Sequence, residues 1–255
     1  MVTNLAKDNL EKDRNVQGKE WLATYRNYFS DKENIRSFIE ALKPHSPGGE
    51  LDILYVASAS GLLGERLIDA LGKGKLTLVD ISSKHLRENK NPMTKKICAD
   101  LLEMDLGKKF DLVMMRSSLD YFPSMALQIQ VLKVIRDHLK PEGLFVNQPA
   151  YLGSIEERKT MSNLYNSLNK VGNRFFQSTD LSEIYAAAGF TKPEKIGEGK
   201  VMNLTEQDHI KRYEFSDDDV KTIQGLIKGG MKSARVTKTG YNLRFEFPIF
   251  LSRPI

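Results

Sequence analysis

Apolar residues recur along this chain in two rhythms. From residue 51 onward, short apolar runs (Leu51–Val56, Leu76–Val79, Lys96–Ala99, Leu112–Met115 and Leu144–Val146) read as strands. Between them lie stretches with helical spacing. Gly61–Leu71 is apolar at positions 62, 63, 67, 68 and 71, and residues 124–139 at Leu127, Val131, Leu132, Ile135 and Leu139. A shorter polar helix is predicted near 83–89. Strand and helix in alternation predict an α/β, doubly wound, mostly parallel sheet with right-handed crossovers. Ligands of such sheets sit outside the carboxyl ends of the strands, near the point where the strand order reverses. Functional residues are therefore expected just after positions 56, 80, 100, 116 and 147.

The flanks follow other patterns. Trp21, Leu22, Tyr25, Tyr28 and Phe29 have helical spacing, and Ser30-x-x-Glu33 reads as a capping box for a second helix. That helix carries Ile35, Phe38, Ile39 and Leu42 on one face and stops near Pro44. The turn-rich His45–Gly49 closes an N-terminal helical extension, 1–49, ahead of a main domain, 50–255. Trp21, Tyr25 and Tyr28 share a face, so Tyr25 and Tyr28 are candidate substrate contacts from a lid; plain core packing explains the same spacing. Near the other end, Ser216-Asp-Asp-Asp219 precedes Val220, Ile223, Leu226 and Ile227, a helix start with acids in its first turn. Leu243–Leu251 alternates as one final strand through Phe245, Phe247, Ile249 and Leu251. The segment 204–236 lies between the sixth and seventh strands and is placed to cover an acceptor site.

Composition narrows the class. The 255 residues are 40% hydrophobic and 28% charged, and the lone Cys98 excludes an internal disulfide. That usage fits a reducing compartment. No apolar run approaches the roughly 18 residues of a membrane span, and no signal peptide is visible, so a soluble cytoplasmic protein is expected. The net charge of +5 is matched by residues 73–96 alone, with seven bases against Asp80 and Glu88. A nucleic-acid track would interleave aromatics there, and none occur, so a solvated helix with its turns is the better reading. One cysteine and four histidines supply no cysteine-rich metal site. Oligomeric state is not encoded in any of these patterns.

The chemistry gathers after the first strand. Val56-Ala57-Ser58-Ala59-Ser60-Gly61-Leu62-Leu63-Gly64 joins strand to helix through small residues, which lets a ligand approach the backbone and the helix's first N–H groups. Asp80, sixteen residues beyond Gly64, closes the second strand where a carboxylate can accept from both hydroxyls of a ribose. Together they point to an adenosine-containing cofactor; a small-residue turn with a capping Asp is the structural alternative. Residues 59–64 resemble the glycine-rich turn of short-chain dehydrogenase/reductases, which bind NAD(P). That family needs Tyr-x-x-x-Lys, and no tyrosine after the fourth strand has Lys four residues on.

Ile53–Gly61 also resembles the first motif of class I S-adenosylmethionine-dependent methyltransferases. Tyr55 stands at that motif's acidic position, Ala57 and Ala59 at its first two glycines, and Gly61 is kept. The resemblance continues in order. Asp80-Ile81 looks like the ribose-binding motif and Ala99-Asp100-Leu101 like the adenine-binding one. Phe110–Phe122, Leu139-Lys-Pro-Glu-Gly143 with the strand after it, and Asp180–Phe190 complete the pattern, which covers about 50–196. It implies a Rossmann-like, seven-stranded sheet with an antiparallel last strand. It also implies S-adenosylmethionine as cofactor and S-adenosylhomocysteine as product. Ala57, Ser58, Ala59, Gly61, Asp80, Ile81, Asp100, Leu101, Arg116 and Ser117 would then bind the cofactor.

Methyl transfer from a sulfonium is an in-line displacement in which positioning and desolvation supply much of the rate. A base is needed only if the acceptor must first lose a proton. Asp120 and Tyr121, in the loop after the fourth strand, are the catalytic candidates; alternatively Asp120 caps a helix starting near Pro123. Gln148 is a substrate candidate, and Arg116 either flanks the cofactor or pairs with a carboxylate. The bases Lys228, Lys232, Arg235 and Lys238 hint at an acidic substrate. The reading favoured is methylation of a small-molecule acceptor, with neither nucleic-acid nor membrane partner. Its rivals are RNA or protein methylation, a non-catalytic relative suggested by Tyr55, Ala57 and Ala59, and an NAD(P)-dependent reductase.

Overall fold

The computed structural model describes residues 27–168, 181–213 and 215–255. The sequence-predicted Trp21 and Tyr25, and Asp180 of the last motif, lie outside them.

A short helix α1 (Asn27–Ser30) precedes α2 (Lys32–Leu42). The cap of α2 is Asp31, one residue later than Ser30: its carboxylate accepts from the backbone N–H of Glu33 (3.1 Å) and Asn34 (3.0 Å). Ser30 cannot serve because it is still helical, as the last residue of α1. Strand β1 (Asp52–Val56) leads into α3 (Leu62–Leu71), β2 (Lys75–Asp80) into α4 (Ser83–Glu88), and β3 (Lys95–Cys98) follows. Next come β4 (Phe110–Arg116), α5 (Met125–Asp137) and β5 (Leu139–Gln148). Then follow α7 (Leu181–Ala187) and β7 (Glu194–Glu198), with α6 introduced below. The last strand, β11 (Pro248–Ser252), runs antiparallel between β5 and β7. The sheet order is β3-β2-β1-β4-β5-β11-β7, seven strands as expected.

Period-two alternation gives each strand two apolar faces. On one, Leu54, Val56, Val113, Met115 and Phe145 pack against α5 and α7. On the other, Ile53, Tyr55, Leu112, Met114, Leu144 and Val146 pack against α2 and α3. No helix of the described residues is long and apolar enough to cross a membrane.

The predicted single strand Leu243–Leu251 is two strands in two sheets. β10 (Gly240–Glu246) is the centre of a second sheet, with β8 (Met202–Thr205) on one edge and β9 (Ala234–Thr237) and β6 (Tyr151–Leu152) on the other. The chain changes sheets at Phe247, where Pro248 has no N–H to continue a ladder. The alternation runs unbroken across this switch because both ends are buried. Phe245 and Phe247 enter the second core, Ile249 and Leu251 the first. Helices α6 (Ile155–Leu168), α8 (Glu206–Tyr213) and α9 (Asp217–Lys228) belong to the second module. As predicted, α9 opens on acids, with a complete Ser216/Asp219 capping box. In this core fully buried His209 lies between Tyr165 and Tyr241, each hydroxyl 2.8 Å from one ring nitrogen. The module is inserted directly after β5 and directly before β11, so it stands beside the carboxyl ends of β4 and β5.

Candidate active site

The strand order reverses between β1 and β4, and the loops after β1, β2, β3, β4 and β5 gather on that edge. The first loop keeps a glycine-type backbone without the glycines. Ala57 and Ala59 have φ of 47° and 49°, and Gly61 has 74°. A Cβ at Gly61 would stand 2.3 Å from the Leu78 side chain, so any larger residue there would have to displace Leu78. The left-handed region costs an alanine roughly 1–2 kcal/mol. Such strain persists only where its surroundings impose it. Here Ser58 N–H donates to the Val79 carbonyl (3.1 Å) and Gly61 N–H to the Ser58 carbonyl (2.8 Å).

Asp80 fixes this loop from the next strand. It is buried at the end of β2, and its Oδ2 accepts from Ala59 N–H (2.8 Å) while Oδ1 accepts from Ser82 N–H (2.7 Å). One carboxylate thus ties the first loop to the second, and its four lone-pair sites leave room for two further donors. The buried Ser58 hydroxyl has no hydrogen-bond partner among the described residues. An orphaned hydroxyl, a carboxylate with spare acceptor capacity and the free N–H groups at the start of α3 suit a nucleoside carrying an amino-acid arm. Beside them, Ile81 is half-buried and its carbonyl receives the Cys98 thiol at 3.5 Å. In the third loop Asp100 Oδ1 accepts from Leu102 N–H at 2.9 Å, and Leu101 is buried.

Relieving the loop strain should be measurable. Ala57→Gly with Ala59→Gly is expected to raise stability by about 1 kcal/mol, after glycine's greater unfolded-state entropy is subtracted. Urea denaturation reads it, and a clear loss of stability would mean that the alanines carry no strain.

Ser117 is left-handed (φ 48°) and its N–H donates to the Gln148 carbonyl at 2.8 Å. Asp120 is buried in a 3-10 turn, Leu119–Tyr121, with Tyr121 half-buried beside it. Asp120 is not the cap of the following helix: the Ser124 hydroxyl accepts from Leu127 N–H (3.3 Å) and starts α5 two residues later than Pro123. Arg116, the last residue of β4, is buried. Its Nη2 donates to the Phe29 carbonyl (3.2 Å), its guanidinium lies over the Phe29 ring (4.5 Å), and it bonds the Tyr55 hydroxyl. Burial pushes the Tyr55 phenol above its ordinary range and pulls Arg116 downward.

Gln148 pairs in register with Arg116 and donates through Nε2 to the Phe247 carbonyl at 3.3 Å. Tyr28 sits at the same junction. Its ring lies 4.6 Å from that of Phe247, its hydroxyl donates to the Lys200 carbonyl, and burial raises its pKa. Phe29 and Phe247, read from sequence only as members of apolar patterns, and Asn34, not read at all, join the N-terminal helices, the second sheet and the main sheet here. The structure therefore collects Ala57, Ser58, Ala59, Gly61, Asp80 and Ile81 on one side of the crevice, with Asp100 and Leu101 after β3. Arg116, Ser117, Asp120, Tyr121 and Gln148 stand on the other side.

This sheet order, with its strained first loop and an acid ending β2, defines a Rossmann-like methyltransferase fold. Residues 54–145 match the family described as a methyltransferase domain, and the fold resembles that of the class I S-adenosylmethionine-dependent methyltransferases. S-adenosylmethionine is the cofactor of that class. Malonyl-[acyl-carrier protein] O-methyltransferase of Priestia megaterium (strain DSM 319 / IMG 1521) is 25% identical over 164 residues, 60% of this chain. The chain spans 58% of that relative's length. A protein from Bacillus halodurans C-125 assigned as a methyltransferase has a similar structure, with TM-score 0.69 and 14% identity over 86% of this chain and all of its own. Human N-acetylserotonin methyltransferase, solved with S-adenosylmethionine, gives 0.55 and 16% over 99% of this chain and 58% of its own.

Proposed function

We propose that the chain transfers a methyl group from S-adenosylmethionine to a small-molecule acceptor. The observation that carries this reading is the Asp80 clamp on a loop whose two alanines hold left-handed backbone. A relative can lose glycines without losing the site when the backbone they specified persists. The cofactor, when bound, supplies an activated methyl on a sulfonium.

The chain's own residues do the rest. Asp80 accepts from the ribose hydroxyls, with Ile81 beside it, and Asp100 with the Leu101 backbone receives the adenine edge. The backbone of Ala57, Ser58, Ala59 and Gly61, with Arg116 and Ser117, would hold the amino-acid arm. Asp120 orients the acceptor or takes its proton, Tyr121 walls the site, and Gln148 and Tyr28 approach from the substrate side. The second module beside the carboxyl ends of β4 and β5 favours a small acceptor over a large open one, and the Priestia relative's O-methyl transfer is compatible with that. The exposed Cys98, the chain's one cysteine, suits a reducing cytoplasm.

The test is production of S-adenosylhomocysteine from methyl-labelled cofactor, with small carboxylic acids, amines and phenols in one set and tRNA or protein in another. Label in a small molecule supports the reading, whereas label confined to the macromolecules overturns it. Asp120→Asn is expected to lower kcat by about tenfold or more, the low end of proton-transfer and positioning effects, with S-adenosylhomocysteine affinity within about twofold. Lost affinity at unchanged kcat would make Asp120 a structural residue.

A further inference from the structure

The crevice contains a buried cation that no acid among the described residues neutralises. Arg116 is 7% exposed, and among the described residues no carboxylate forms an ion pair with it. Its partners are the Phe29 carbonyl, the Phe29 ring and the Tyr55 hydroxyl, and its Nε has no partner among the described residues. The tyrosines that face it, Tyr55 and Tyr28, are held neutral by burial. The nearby acid of the cofactor side, Asp80, is already engaged by two backbone N–H groups. A guanidinium stripped of water and of counter-charge is costly to a fold that gains nothing from it.

Its placement gives it a use. Arg116 ends β4 on the crevice, just before the left-handed Ser117. Its register partner Gln148 projects to the same face of the sheet and has a buried Oε1 without a partner among the described residues. An orphaned donor and an orphaned acceptor thus belong to register-paired residues at the ends of β4 and β5. Arginine also suits this position better than lysine, since its planar fork meets a carboxylate through two N–H groups at once.

We propose that Arg116 is a carboxylate receptor, binding a ligand carboxylate in the crevice while Gln148 Oε1 accepts from an N–H or O–H beside it. The inference rests on the proposed function for its choice of ligands. The carboxylate comes from the amino-acid arm of the cofactor or from the methyl acceptor, and Phe29 on α1 covers the receptor in either case.

Calorimetry on the full chain, Arg116→Lys and Arg116→Gln separates the two sources. The first pair of probes is S-adenosylhomocysteine and 5′-methylthioadenosine, which keeps the nucleoside and thioether but has no amino-acid arm. The second is succinate and neutral succinamide, added to protein saturated with S-adenosylhomocysteine. If the cofactor supplies the carboxylate, Arg116→Gln binds S-adenosylhomocysteine at least about tenfold more weakly, with methylthioadenosine within about twofold and Arg116→Lys in between. If the acceptor supplies it, S-adenosylhomocysteine is unaffected. The parent chain then takes up succinate but not succinamide, and Arg116→Gln takes up neither.

The proposal is overturned if Arg116→Gln matches the parent chain toward both S-adenosylhomocysteine and succinate. Should Arg116→Gln fail to fold, the parent chain alone still decides. Equal affinity for S-adenosylhomocysteine and its carboxamide, with no preference for succinate over succinamide, overturns the receptor. A parent chain that binds neither nucleoside overturns the proposed function instead, and the succinate comparison, run without nucleoside, still tests Arg116.

Discussion

Asp80→Ala is expected to weaken S-adenosylhomocysteine binding by about 1–3 kcal/mol, the scale of losing charge-assisted hydrogen bonds. Two losses combine in it. The ribose hydroxyls lose their acceptor, and the N–H groups of Ala59 and Ser82 lose theirs, at 2.8 and 2.7 Å. Without the clamp, Ala59 is released from a left-handed conformation that an alanine does not favour. The first loop should therefore relax away from the ligand even where the fold survives. Asp80→Asn should fall between, because one amide oxygen can still accept from one of the two N–H groups. Isothermal titration of the folded variants measures the difference. An Asp80→Ala protein with parental affinity would show that neither clamp nor ribose contact involves this carboxylate.

His209→Ala should produce the largest stability loss, about 3–5 kcal/mol, by combining a cavity with two abandoned hydroxyls. The imidazole is fully buried, and the hydroxyls of Tyr165 and Tyr241 each lie 2.8 Å from one of its nitrogens. Those tyrosines come from α6 and β10, so one side chain joins three separate parts of the second module. The cofactor loops lie on the main sheet and do not touch this network. The variant should therefore melt earlier yet keep its affinity for S-adenosylhomocysteine below the transition. Stability equal to the parent chain's would mean that the second core is held by its apolar contacts alone.

The main sheet was legible in the sequence because each of its signals is local. Apolar runs of three to six residues, Gly61 at the start of α3 and the acid at the end of β2 all act within one element. The second sheet was not legible. Its strands β6, β8 and β9 are two to four residues long and pair only through β10, far along the chain. The split at Phe247 was hidden for a related reason: alternation reports that alternate residues are buried, not which core buries them. Ser30 and Asp31 are both good caps, and sequence could not show that α1 already claimed the serine. In the crevice, Asp80 and Asp100 were readable as strand-terminal acids. The neutral setting of Arg116 was not, since Phe29 and Tyr55 reach it from other elements. Tyr55 at an expected acidic position was the available signal, and it gained meaning only once the arginine stood beside it.

The central claim is that the Asp80-clamped crevice binds an S-adenosyl nucleoside. Calorimetric titration of the purified chain with S-adenosylhomocysteine, S-adenosylmethionine, NAD and NADP, each alone, tests it most directly. Saturable micromolar binding of the first two, with no heat from either nicotinamide dinucleotide, is the predicted result. Binding of NADP in their place would contradict the account and return the small-residue loop to the reductase reading.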